Sequence, residues 1–329
     1  MEGSLCFLYN ICPCITLSAA HRFFFASYAF IISIFIFLFF LFLLHRVKME
    51  VEKGQLAAAM NATIVGSGNE SIILGHGYGA DQSFWAKILP ALAGHFRVLL
   101  FDWAFSGAVE DRTLFDPEKH SSLGAFADDL IALVDEVGFG PSVFVGHSMS
   151  GMIGCIASVK RPELFKRLVL IGASPRYINL EDYKGGFEKS NVEEMLTSLE
   201  LDYDKWASFF STFVASAHDL PTVDLYYASL KRMRPKVALS VAKTIFYGDY
   251  RDVLPKVVIP CTIIQTANDV AVPISVAHYM HDKIGGESTV EMIEFPGHYP
   301  QLSAPHLLLD VLGRVLGFDI GSSLRKTHA

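Results

Sequence analysis

From Asn61 onward, short apolar runs alternate with amphipathic segments, and this alternation constrains the fold more than any other property of the chain. Several of the runs are continuously apolar, as strands buried on both faces are, and the segments between them carry helical periodicity. The pattern predicts an α/β fold: a mostly parallel sheet with helices on its faces. Strands are expected at 62–65, 72–74, 97–101, 143–145, 168–171, 261–265 and 289–293, and helices at 84–92, 123–137, 151–160, 275–283 and 306–316. There is no internal repeat. One stretch breaks the alternation, residues 174–254, which hold no convincing strand. They carry Tyr177, Phe187, Trp206, Phe209, Phe210, Phe213, Tyr226, Tyr227 and Phe246 among helix-forming segments. A helical insertion after a strand, where loops gather above a sheet, is expected to cap an apolar cavity.

Within the alternation, one junction points to chemistry. Val143, Phe144 and Val145 meet Gly146-His147-Ser148-Met149-Ser150, and a small-residue, helix-compatible stretch follows at once. Strand, sharp turn and helix in that order lift the Ser148 hydroxyl above the sheet edge. They also aim the NH of Met149 and the positive end of the helix at the same spot. The fifth position of such an elbow is usually Gly; here it is Ser150, still small enough for a tight turn.

A serine hydroxyl needs a base within hydrogen-bond reach and a third group that fixes the base's tautomer. Asp269 lies just past the strand expected at 261–265, and His298 lies just past the one expected at 289–293. Both therefore fall at the carboxyl edge of the sheet, as Ser148 does. The chain order Ser, Asp, His is the α/β-hydrolase order. Gly75-His76-Gly77-Tyr78-Gly79 follows the strand at 72–74, and its glycines let backbone approach closely, so the NH of Tyr78 is expected to face the NH of Met149 as an oxyanion hole. Losing one such donor costs about 3 kcal/mol in the transition state. His278 and His281 share a helical face, but no third ligand accompanies them, so no metal site is expected. No phosphate loop or dinucleotide fingerprint is present, and nothing implies a cofactor.

The first 48 residues stand apart. Residues 23–44 form an uncharged run with nine phenylalanines, long enough at about 1.5 Å per residue to cross a bilayer's hydrocarbon layer. Two readings are open. Met49 is the functional start and the segment is translated upstream sequence, or residues 23–44 are a single-pass anchor. In the second case Arg46, Lys48 and Lys53 behind the run outnumber Arg22 in front and hold the domain on the cytosolic side. Cytoplasmic localisation is expected either way, with the nucleus also accessible to an unanchored domain. Without Arg22, Arg46, Lys48 and Glu2, the 27 basic and 34 acidic residues become 24 and 33, a net charge of −9. An acidic surface without basic runs argues against nucleic-acid binding. Beyond the extension only Cys155 and Cys261 remain, with no metal spacing, which suits a reducing compartment. The expected organisation is an extension at 1–48, a core at 49–173 and 255–318, a cap at 174–254 and a flexible tail at 319–329.

Six segments carry a resemblance. Gly-His-Gly-Tyr-Gly-Ala-Asp-Gln-Ser (75–83), Gly-His-Ser-Met-Ser-Gly-Met-Ile-Gly (146–154), Ala-Ser-Pro-Arg-Tyr-Ile-Asn (173–179), Tyr-Lys-Gly-Gly-Phe-Glu (183–188), Met-Arg-Pro (233–235) and Gly-His-Tyr-Pro-Gln-Leu-Ser-Ala-Pro (297–305) resemble the plant strigolactone and karrikin receptor hydrolases, the DWARF-fourteen and KARRIKIN-INSENSITIVE-two group. Residues 101–107 and the Met149-Ser150-Gly151 turn look most like the DWARF-fourteen-like-two branch. The resemblance implies an α/β-hydrolase core of about seven strands, a four-helix cap inserted after the sixth core strand, and slow hydrolysis of butenolide-type ligands coupled to hormone signalling. It maps the catalytic residues onto Ser148, Asp269 and His298. The ligand pocket maps onto Tyr78, Phe187, Trp206, Phe210 and Phe246, and serine at the Ser150 position is a family feature. It implies a leucine-rich-repeat F-box protein as partner through the cap. Three positions depart from the pattern: Tyr78 where the receptors usually carry Phe, Phe210 where strigolactone receptors often carry Tyr, and Tyr299 where they carry Leu. The expected function is therefore a slow serine hydrolase for a butenolide or related apolar ester. The alternatives are a ligand-binding signalling module with little turnover, or a general carboxylesterase.

Overall fold

The computed structural model describes residues 54–215 and 218–319. The apolar run at 23–44, Cys6, Cys12, Cys14 and the tail from 320 onward lie outside the described residues. Among the described residues, no helix is long and apolar enough to cross a membrane.

The elements follow one another as α1 (Gln55–Ala59), β1 (Thr63–Val65), β2 (Glu70–Gly75), α2 (Leu89–Ala93), β3 (Phe96–Leu100), α3 (Leu123–Val137), β4 (Ser142–His147), α4 (Met149–Lys160) and β5 (Phe165–Ile171). Then come α5 (Lys189–Leu201), α6 (Tyr203–Ala215), α7 (Leu220–Arg232) and α8 (Pro235–Phe246), followed by β6 (Cys261–Asn268), α9 (Ile274–Lys283), β7 (Ser288–Pro296), α10 (Pro300–Ser303) and α11 (Pro305–Leu316). The seven strands form one sheet in the order β1-β3-β2-β4-β5-β6-β7. β1 runs antiparallel to β3, and every other pair is parallel. This is the mostly parallel α/β sheet expected from the alternation, with the seven strands of the α/β-hydrolase core that the resemblance implies.

The physical reason for the central position of β4 is visible in its sequence. All six of its residues are buried, and Phe144 and Val145 are wholly enclosed. Burying such side chains on both faces contributes roughly 1.5–3 kcal/mol each. One face of the sheet packs Ile73, Leu99, Phe144, Leu168 and Ile263. The other packs Ile72, Val98, Val145, Val169 and Ile264. This is the alternation of side-chain direction along a strand.

Two expectations change. The single helix expected at 84–92 is a 3-10 turn over Gln82–Trp85 followed by the short α2. Pro90 sits within the first turn of α2, and a proline there cannot extend a preceding helix because it lacks the NH. The helical insertion follows β5, the fifth described strand, rather than the sixth. Its four helices pack on one another, α5 on α6 and α8, and α6 on α7. In α6 the buried residues are Trp206, Ala207, Phe210, Ser211, Val214 and Ala215, a helical spacing that turns one face inward.

Candidate active site

Ser148 follows β4 directly and has φ 56 and ψ −124. A side chain rarely adopts this left-handed φ, and such strain costs of order 1–3 kcal/mol. The surroundings hold it in place: the NH of Ser148 donates to the Ile171 carbonyl at 2.8 Å, and the NH of Gly151 donates to the Ser148 carbonyl at 2.9 Å. The flanking glycines are steric requirements. A Cβ on Gly146 would lie 2.7 Å from the Gly151 nitrogen, and one on Gly151 would lie 2.5 Å from the Cβ of Ala173.

The irregular fifth position of the elbow has a structural purpose. The Ser150 hydroxyl donates to the His76 carbonyl and accepts from the Trp103 indole NH at 2.8 Å. His76 in turn donates from Nδ1 to the Gly77 carbonyl at 2.9 Å, and its Nε2 accepts from the Trp103 backbone NH at 3.1 Å. The elbow, the glycine loop after β2 and the segment after β3 are thus tied together by one buried network. Burial holds the His76 imidazole below its ordinary pKa, so it stays neutral and can serve as donor and acceptor at once.

That network sets the glycine loop against the serine. A Cβ on Gly77 would lie 3.2 Å from the Cβ of Ser148. Met149 opens α4, where the first amides have no acceptor within the helix. Neither its NH nor that of Tyr78 has a backbone acceptor among the described residues. The cap holds Tyr78 at both polar ends. Its hydroxyl donates to the Ala238 carbonyl in α8 at 2.9 Å, and its carbonyl accepts from the Tyr226 hydroxyl in α7 at 3.0 Å. Burial pushes the Tyr78 and Tyr226 hydroxyls above their ordinary pKa, keeping both as donors.

Asp269 follows the end of β6. Its Oδ1 accepts the backbone NH groups of Ala271 at 2.8 Å and Val272 at 3.1 Å, and its Oδ2 accepts from His298 Nδ1 at 2.7 Å. With the proton of Nδ1 committed there, His298 Nε2 carries the free lone pair. The backbone of His298 is fixed as well. Its carbonyl accepts from His147 Nε2 at 2.8 Å, and its NH donates to Val214 of α6 at 3.2 Å.

Ser148 and His298 line one cavity together with Tyr78, Tyr177, Phe187, Phe210, Val214, Tyr226, Ile245, Phe246, Ala271 and Tyr299. A water centre can reach about 30 Å³ of it, room for roughly one or two waters. Ser148 Oγ lies 3.4 Å from the Tyr177 hydroxyl and makes no hydrogen bond to His298 in this state. Of the pocket residues expected from the resemblance, Tyr78, Phe187, Phe210 and Phe246 reach the cavity. Trp206 does not: it stacks on Phe210 with ring centres 4.8 Å apart, one layer behind. Sequence reasoning missed Val214, Ile245 and Ala271 as lining residues; Tyr177 and Tyr226 are among the insertion's aromatics expected over a cavity, and Tyr299 is one of the departures, but the resemblance maps none of the three onto the pocket. Tyr299, beside His298, and Ala271, beside Asp269, are adjacent to motif residues, which was the available signal.

The chemical repertoire follows from these positions: a serine on a strained backbone, an imidazole oriented by a carboxylate, and, in the adjoining loop and helix start, two NH groups without a backbone acceptor among the described residues, under an aromatic roof. Comparisons with known proteins agree. Residues 72–311 match the family described as "Alpha/beta hydrolase family". The chain is 43% identical over 258 residues to "Strigolactone esterase D14" of Arabidopsis thaliana, covering 78% of this chain and 96% of the relative. It is 41% identical over 270 residues to "Karrikin insensitive 2 receptor IA" of Petunia hybrida, covering 82% of this chain and 98% of the relative. A solved hydrolase from Oleispira antarctica superposes with a TM-score of 0.78 at 30% identity, over 81% of this chain and 98% of that one.

Proposed function

The chain belongs to the alpha/beta hydrolase family and, within it, to the group of strigolactone esterases and karrikin-insensitive-2 receptors, and we propose that it binds a compact apolar ester or butenolide above Ser148 and hydrolyses it slowly as a signalling event. The observation that carries the reading is the His298 Nδ1 to Asp269 Oδ2 bond of 2.7 Å at the wall of the cavity that Ser148 also lines.

In the proposed sequence, the Ser148 hydroxyl leaves Tyr177 and comes within reach of His298 Nε2. Nε2 takes the proton as Ser148 Oγ attacks the carbonyl carbon. The oxygen of the tetrahedral intermediate gathers negative charge and is held by the NH groups of Tyr78 and Met149. Asp269 keeps the imidazole in the right tautomer and stabilises the imidazolium without taking its proton. His298 then protonates the leaving oxygen; water, deprotonated by the same nitrogen, attacks the acyl carbonyl carbon, and His298 returns that proton to Ser148 Oγ as the acid departs. Aromatic walls over this centre favour an apolar ligand. The Tyr78 hydroxyl, already committed to Ala238, adds no free donor for it.

A second reading has its own observation. Ser148 rests on Tyr177 rather than on His298, and the cavity is small. Both features suit a ligand-binding signalling module whose turnover is incidental. By the same family likeness we propose a leucine-rich-repeat F-box protein as partner through α5–α8, and a cytoplasmic and nuclear location. Turnover of a fluorogenic butenolide by the protein and by Ser148→Ala separates the readings. Turnover lost in the variant supports catalysis. Equal turnover by both proteins refutes the Ser148 mechanism, and ligand-induced thermal shift without any turnover favours the signalling module.

A further inference from the structure

A second cavity has a far more polar wall than the first. It lies where the loop after β3 meets the join between α7 and α8, and its wall includes Ser106, Gly107, Asp111, Arg112, Arg232 and Arg234. The seam is tight: a Cβ on Gly107 would lie 2.5 Å from the carbonyl carbon of Arg232. A water centre reaches about 40 Å³ of it, space for a few waters or one small anion.

Three arginines line this one cavity in a chain whose net charge is −7. They are held differently. Arg232 is anchored from one side by an ion pair with the buried Asp81. Arg234 donates from Nη2 to the Arg112 carbonyl at 3.1 Å, which fixes it at the rim and leaves its other donors unspent. No described carboxylate pairs with Arg112 or with Arg234. The one carboxylate in the wall, Asp111, turns its Oδ1 onto its own loop, accepting the Thr113 NH at 2.9 Å and the Thr113 hydroxyl at 2.6 Å. Arg112 and Arg234 line one cavity with no described carboxylate paired to either, and an anion bound beside them relieves their mutual repulsion. Planar guanidinium forks match the oxygens of phosphate two at a time.

We propose that this cavity binds a small phosphate-type oxyanion, held by Arg112, Arg232 and Arg234. The bound anion links the core loop to the α7–α8 join and so clips the cap to the core. Binding of the anion is read through stability and not through turnover, so it can be examined without reference to the active-site reading.

The test titrates the purified full chain with inorganic phosphate at constant ionic strength and follows the thermal unfolding midpoint, with chloride as control and Ser148→Ala in parallel. A saturable rise is expected with phosphate, in the wild type and in Ser148→Ala alike, and none with chloride. Arg112→Gln removes an exposed guanidinium without disturbing the Asp81 pair, and should weaken apparent phosphate affinity about tenfold while leaving ester turnover unchanged. Arg234→Gln gives an independent second reading with the same expected loss. Absence of a saturable rise, or an identical rise in both arginine variants, overturns the proposal.

Discussion

The floor and the roof of the hydrolytic site are built by different rules. On the floor, Ser148, Asp269 and His298 stand at or just beyond the carboxyl ends of β4, β6 and β7, and each is fixed mainly by backbone: the Ile171 carbonyl, the Ala271 and Val272 NH groups, and the Val214 carbonyl. In the roof, α5–α8 and the segment before them supply side chains packed on one another, such as Phe187, Phe210 and Phe246. Main-chain anchoring sets positions within tenths of an ångström, as chemistry requires. Side-chain packing sets volume and polarity, as ligand choice requires. Floor variants should therefore change kcat, and roof variants should change KM.

The largest expected effect is on the floor. Ser148→Ala should lower kcat by about 10⁴-fold or more with the ligand still bound, as read by thermal shift; residual turnover near the wild-type rate would end the division at once. Asp269→Asn should lower kcat on the order of 10³–10⁴-fold by releasing the His298 tautomer, with KM little changed. A near-normal rate would remove Asp269 from the floor. Tyr226→Phe probes the boundary between the two regions, because a roof residue there holds the carbonyl of Tyr78, whose NH is a proposed oxyanion donor. Its kcat should fall about tenfold, with KM within about twofold. An effect on KM alone would show that the roof does not reach into the chemistry. Phe246→Leu should raise KM a few-fold and leave kcat alone, the pure roof signature, and its stability loss should stay within about 1.5 kcal/mol.

The smallest effect is thermodynamic and belongs to the floor. Burial lowers the pKa of His147 and of His76 below 6.5. Both are neutral in the folded protein, so below pH 6.5 the unfolded chain binds protons that the folded one refuses. The stabilisation is complete above pH 6.5 and is lost progressively as pH falls toward the folded values. The unfolding midpoint should drop between pH 7 and pH 5, and the drop should shrink in His147→Gln; a flat profile over that range would remove the buried imidazoles from the account.

The same division explains what was legible in the sequence. Strands, the elbow, and the placement of Asp269 and His298 follow from local periodicity and chain order, and a residue just after an apolar run is at a strand end whatever the rest of the molecule does. The roof was legible only as helical and aromatic. Periodicity could not say that Trp206 sits behind Phe210, or that Tyr226 reaches Tyr78 across 148 positions of sequence. The position of Ser150 shows the limit from the other side. Its size was readable as compatible with a tight turn, but its bonds to His76 and Trp103 depend on two other segments arriving at the same place. Helix 84–92 failed for a local reason that was visible, Pro90, outweighed by the apolar spacing around it.

The narrow cavity over Ser148 turns binding into a question of populations. A ligand of ester size that needs side chains or cap helices to draw back from this narrow pocket binds only the opened molecules. The apparent dissociation constant is then the intrinsic one divided by the fraction of molecules in the opened state. If that fraction is about 1%, affinity is weakened about a hundredfold and association slows in proportion. A substitution that merely loosened the roof would make the protein appear a better receptor while adding no contact to its ligand.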